Sequence, residues 1–130
     1  MKLLNLTPHT LALRDARGHD YPIPPSGRVA RVSSTPGAGR IVEGVPVPVH
    51  APHEWGGVVN LPEPEPGVLC IVSGLVAARV PPGRHDVVSP GTGPGDGAVR
   101  EAGRIVAVTR LVRAWPAPTV AQGANDEAAP

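Results

Sequence analysis

The stretch Val68-Leu69-Cys70-Ile71-Val72 decides how this chain is read. Its residues are apolar without interruption, so an extended segment here is covered on both faces. A strand covered on both faces lies centrally in a fold. Val and Ile are stiff at χ1 and fit a pleated surface. Upstream, Leu61 to Gly67 carries Pro-Glu-Pro-Glu-Pro and reads as an extended, polyproline-like connection. Downstream, Ser73 is placed to cap a short helical turn over Gly74 to Val80, with Leu75, Val76 and Ala78 as its apolar positions. Pro81-Pro82-Gly83 ends it.

Further out, the pattern stays that of short strands. Leu4 and Leu6 alternate with Asn5 and Thr7 until Pro8, and Leu11 and Leu13 alternate with Thr10 and Ala12. Asp15-Ala16-Arg17-Gly18 reads as a hairpin turn, with Tyr21-Pro22-Ile23 returning. Arg28 to Val32 and Ile41-Val42 are further strand candidates. Val45, Val47 and Val49 alternate with Pro46, Pro48 and His50, which predicts an edge strand with its Val face inward. Val58-Val59 reads as a brief strand, Arg84 to Ser89 contains a two-Val strand, and Arg104 to Arg113 is the last strong one. Pro90 to Gly97 reads as a glycine-rich, flexible hairpin connection.

Composition agrees. Glycine (16) and proline (18) make up about a quarter of the 130 residues, and Phe is absent. Both residues are costly inside helices, which argues against long helices. No apolar heptads support a coiled coil, and glycine has no three-residue period as in collagen. No run of roughly 20 apolar residues could span a bilayer. The expected fold is therefore mainly β: a small barrel or sandwich of about seven to nine short strands, with at most one short helix near 73–80. Residues 1–115 form one β-rich domain, and 116–130, without any period, read as a disordered tail.

Net charge is +1, which makes the chain no magnet for polyanions. Lys occurs once and Arg supplies the other basic residues. A GC-rich coding genome explains that bias, and it is compatible with Arg forks for phosphate or carboxylate. Cys70 has no partner for an intrachain disulfide and reads as a buried small hydrophobe. The start, Met1 to Asn5, lacks the apolar core of a signal peptide before Pro8, so a cytoplasmic location is expected.

Four constellations bear on chemistry. His50, His53 and Glu54 are weak candidates for a metal site, because they lack the helical His spacing or paired Cys of stronger metal motifs. Gly91 to Gly97 lacks a following Lys-Ser/Thr and a following helix, so it is no phosphate loop. Arg79, Arg84, Asp86 and Arg100 hold much of the charge of the second half. Arg84 and Asp86, two apart, would share a face of a strand. Planar guanidinium groups suit a bidentate anion, while the lack of an aromatic row argues against nucleic acid. Asn5-Leu6-Thr7-Pro8-His9 is dense in short polar groups at a forced turn. Ser73, His9 and Asp86 would complete a hydrolase triad, but no nucleophile elbow surrounds Ser73.

Taken in order, Asn5 to His9, Leu61-Pro62-Glu63-Pro64, Ile71-Val72-Ser73 with Val76-Ala77, Arg84-x-Asp86-Val87 with Pro90, and Arg100-Glu101-x-Gly103-Arg104-Ile105 form a series. This series resembles a set of small uncharacterised proteins of bacteriophages, prophages and actinobacteria, over roughly residues 3–108. The resemblance implies a phage-like or mobile-element context and a single compact domain. It carries no catalytic residue and no cofactor.

The expected function is binding of an anionic small molecule, for instance a nucleotide, without catalysis. Asn5, Thr7, His9, Ser73, Arg79, Arg84, Asp86 and Arg100 are the expected ligand-binding residues. A structural or protein-interaction module, oligomeric or joined to a protein partner, is the second reading. A metal-dependent hydrolase is the third.

Overall fold

A computed structural model describes residues 1–116. Its elements in chain order are β1 (Lys2–Asn5), β2 (Leu11–Arg14), β3 (Asp20–Ile23), β4 (Arg31–Thr35), β5 (Gly39–Arg40), β6 (Val49–His50), β7 (Glu54–Val59), β8 (Val68–Ile71), α1 (Gly74–Ala77), β9 (Val87–Pro90), β10 (Val99–Glu101), β11 (Arg104–Ala107) and β12 (Leu111–Arg113). The expected tail falls, from residue 117 on, outside the described residues.

The apolar run takes the central position its composition demands. β8 lies between β1 and β9 in a four-stranded sheet of order β1-β8-β9-β12. Both neighbours run parallel to it, and β12 pairs antiparallel to β9. Parallel neighbours require a crossover rather than a tight turn. Between β8 and β9 that crossover carries α1. Ser73 caps the helix as expected, its hydroxyl accepting from the Val76 N–H at 3.3 Å. The helix is shorter than expected and stops at Ala77.

Because side chains alternate across a strand, Cys70 and Val72 point to one face and Ile71 to the other. The first face packs with Leu6, Ala30, Val76, Ala77, Val80 and Val87 into the main core cluster. On the second face Asn5 reaches the Ile23 carbonyl of β3, so the β2–β3 hairpin lies on that side. Cys70 is buried, and burial pushes its thiol above the ordinary range, as suits a small core hydrophobe.

The mainly-β architecture with one short helix is as the sequence indicated, but the sheets do not close into a barrel. The remaining strands form two-stranded sheets: β2–β3, β4–β7, β5–β6 and β10–β11. Several strand assignments change: the strand read at Arg28 to Val32 is shifted to Arg31–Thr35, and Val58-Val59 ends a longer strand, Glu54–Val59. Ile41-Val42 is not a strand, and only Val49 of the Val/Pro alternation enters one. Val45, Val47 and Val49 are exposed rather than inward. Pro46 and Pro48 have no N–H to donate, so a ladder cannot propagate through them. Finally, Arg104 to Arg113 is two strands, broken between Ala107 and Leu111.

The β10–β11 turn lies just before this run. Ala102 (φ 51°) and Gly103 (φ 78°) are both left-handed, the signature of a two-residue hairpin loop. Alanine is strained there, whereas asparagine tolerates the conformation. Ala102→Asn should therefore stabilise the protein by about 0.5–1 kcal/mol. A rise in the urea midpoint at unchanged slope would show it; a fall would refute the strain.

Candidate functional site

Three parallel strands point their carboxyl ends the same way: β1 and β8 are in step, and β9 begins level with Cys70 and runs two residues further. β1, β8 and β9 deliver Asn5, Ile71 and Pro90 to one end of the sheet. There the chain leaves β1 through Leu6 to His9, leaves β8 at Ser73, and leaves β9 at Gly91. In open sheets with parallel strands, ligands bind outside these carboxyl ends.

Asn5 builds the turn. Its Nδ2 donates to the carbonyls of His9 and Ile23, each at 2.9 Å. Its Oδ1 accepts from the Thr7 N–H at 2.9 Å and from the Thr7 hydroxyl at 2.7 Å. The Asn5 side chain thus spends its whole hydrogen-bonding capacity inside the protein. It positions the turn rather than reaching outward. Thr7 also gives its hydroxyl proton inward, while His9 is left exposed at the turn.

Beside this turn lies a cleft of about 400 Å³ lined by Thr7, Pro8, His9, Leu11, Ser73, Gly74, Pro90 and Thr92. Arg100 Nη2 donates to the Thr92 carbonyl at 3.2 Å, which brings a guanidinium to the cleft's edge. The Ser73 oxygen accepts the capping bond from Val76, which leaves its own proton for another acceptor. Pro8, Leu11 and Pro90 add apolar walls. The arrangement offers an imidazole, hydroxyls and a nearby cation to a molecule with an apolar body and a negative group.

The structure brings together Thr7, His9 and Ser73, with Arg100 at the margin. It does not bring Arg84 and Asp86 to the same place. Those two precede β9, in a turn and not on a strand, so they sit at the opposite end of the parallel sheet. A single site joining the Asn5–His9 turn to Arg84 and Asp86 is therefore ruled out, and so is a Ser73–His9–Asp86 triad. Arg79 is elsewhere again, its guanidinium 3.7 Å from the centre of the Trp55 ring.

Arg84 and Asp86 bind each other. Arg84 Nε donates to Asp86 Oδ1 at 2.9 Å and Nη2 to Oδ2 at 3.0 Å. Nη2 also donates to the Pro62 carbonyl at 2.8 Å, clamping the Pro-Glu repeat against the sheet. Both side chains are only 14% exposed. The Arg84 hydrogen bonds hold the Asp86 carboxyl below its usual range, against the opposing effect of burial. A lowered carboxyl contributes stability that is present above its unfolded value, about 3.9, and is lost as pH falls towards its folded value. Asp15 and Asp20, lowered by hydrogen bonds from His19 N–H and from Arg14, act in the same direction. Asp86→Asn should therefore cost about 1–2 kcal/mol at pH 7 and flatten the loss of stability below about pH 4. Chemical denaturation from pH 2.5 to 7 checks both; an acid profile identical to wild type would refute the clamp.

The other constellations also resolve. His50 Nδ1 donates to the Gly37 carbonyl at 2.8 Å, and His53 Nδ1 lies 3.2 Å from Ser34 Oγ. Among the described residues no three His, Cys, Asp or Glu side chains gather in a metal-binding group, and Glu54 joins neither histidine in one. The 91–97 segment links two different sheets rather than the strands of a hairpin. Its Gly93 N–H is taken by Asp96 Oδ2 at 2.9 Å, which occupies the place an anion would need. No helix among the described residues is long and apolar enough to cross a membrane.

Sequence reasoning missed Leu11, Gly74, Pro90 and Thr92 as cleft residues. Their proximity follows from the parallel pairing of β1, β8 and β9, which no local pattern announces. Comparison with known proteins gives no match to any family model, curated protein or solved structure.

Proposed function

We propose that this protein binds a small organic anion in the cleft at the carboxyl ends of β1, β8 and β9, without transforming it. The observation that carries this reading is the convergence of His9, Ser73 and Thr92 on one cleft with the Arg100 guanidinium at its edge. Arginine favours phosphate and carboxylate groups, and the Pro8, Leu11 and Pro90 walls favour a ligand with an apolar part. Nucleotides, sugar phosphates and organic acids are the classes to screen. The resemblance to small phage and prophage proteins suits a cytoplasmic protein that withdraws such a molecule from the host.

Thermal unfolding with a panel of those anions tests the reading. A ligand at 100 times its Kd should add about 2.7 kcal/mol of stability. Arg100→Ala and His9→Ala should each weaken binding by about tenfold or more, whereas Arg84→Ala should lower stability and leave the affinity unchanged. No response to any anion, or equal affinity in Arg100→Ala, would refute the site.

A further inference from the structure

β4 and β5 continue one another along the chain, and β6 and β7 return beside them, so residues 31–59 form one long antiparallel arm. Only its base meets the core, through Val32 and Val58. From Ser33 to Gly57 no residue is buried. Beyond that base, where Trp55 also stacks on the Arg79 guanidinium, the ribbon has no core of its own, and an isolated two-stranded ribbon is marginal in water. This one nevertheless carries a row of branched apolar side chains near its tip: Ile41, Val42, Val45, Val47 and Val49, with Ile41 84% and Val47 61% exposed. Such a concentration marks an association surface rather than scattered surface residues.

The same tip carries one charge of each sign. Arg40 precedes Ile41, and Glu43 follows Val42. Neither makes an ion pair among the described residues. A surface with an apolar centre and both signs close together is complementary to its own two-fold image, because the rotation sets each cation against the other copy's anion. Pro46 and Pro48 remove ladder donors, so the contact is made by side chains rather than by strand addition.

We propose that the arm is a homodimerisation element whose occupant is the same arm of a second copy. The two tips pack about a two-fold axis, with the apolar row covered and Arg40 of each protomer facing Glu43 of its partner. This is independent of the cleft, which lies at the carboxyl ends of the parallel sheet.

Sedimentation velocity on the full chain across a concentration series tests it. The expected mass approaches twice 13.3 kDa as concentration rises. Ile41→Ser with Val47→Ser should raise the dimer dissociation constant by about 100-fold, since two buried aliphatic side chains are lost. Arg40→Glu alone and Glu43→Arg alone should each weaken the dimer about tenfold, and the combined reversal should restore it to within about threefold of wild type. Circular dichroism of each variant should match wild type, because these side chains are exposed in the protomer. A wild-type chain that stays at 13.3 kDa throughout, including one that instead holds a different protein on the arm, would overturn the proposal. So would a dimer insensitive to the serine variants, or a charge reversal that fails to restore association.

Discussion

Asn5→Ala is expected to lower the stability of the protein by about 3 kcal/mol. Asn5 is 1% exposed, and its four hydrogen bonds hold Thr7, His9 and Ile23 together. A typical internal hydrogen bond contributes only about 1 kcal/mol net, because the unfolded chain bonds to water. The cost grows when partners are stranded. Alanine would leave the Thr7 N–H and the Ile23 carbonyl without the partner they now have, in a site with little room for water. In a domain of this size the change corresponds to a fall of about 15 °C in Tm. Asn5→Asp is the sharper control. It keeps the oxygen that accepts from Thr7 but turns an oxygen towards the His9 and Ile23 carbonyls, so it should cost at least as much as alanine at pH 7. Urea unfolding monitored by tryptophan fluorescence checks both. A loss below about 1 kcal/mol in either variant would mean that the turn holds without this side chain.

Ile71→Ala should cost about 3–4 kcal/mol. Ile71 is 0% exposed and sits on the central strand, with Asn5 opposite it on β1 and Val88 on β9. Removing its side chain loses the transfer free energy of the deleted atoms. It also leaves a cavity that strands fixed on both sides cannot close. Ile71→Val, which deletes one methyl group, should cost only about 1 kcal/mol, so the two variants together separate cavity formation from a general intolerance at the position. Equal losses in both, read as shifts in the urea midpoint at unchanged slope, would refute the packing argument.

How far the chain could be read in advance depended on the range of the interactions involved. Val68 to Val72 announced its own place, because an apolar residue at every position leaves no face for water. Ser73 announced the helix start, because a cap acts over three residues. The Val/Pro alternation at 45–49 misled, since a period of two describes where side chains would point in a strand and says nothing of whether the ladder can form. Pro46 and Pro48 withhold the donors, and the arm tip stays exposed. At the site, the polar density of Asn5 to His9 was legible, but the roles were not. Nothing local distinguishes a side chain that faces a ligand from one that, like Asn5, spends every lone pair and proton on its own backbone.

The sequence by itself determined the mainly-β class, the central strand, the capped helical turn and the absence of a long helix among the described residues. These follow from steric and hydrogen-bonding preferences that act within a few residues. Only the tertiary structure decided that β1, β8 and β9 run parallel. That pairing joins residues more than sixty positions apart in the case of β1 and β8, and its orientation depends on the crossovers rather than on the strands. From it follow the two results that matter most for function: His9, Ser73 and Thr92 meet at one end of the sheet, and Arg84 and Asp86 are left at the other, bound to each other.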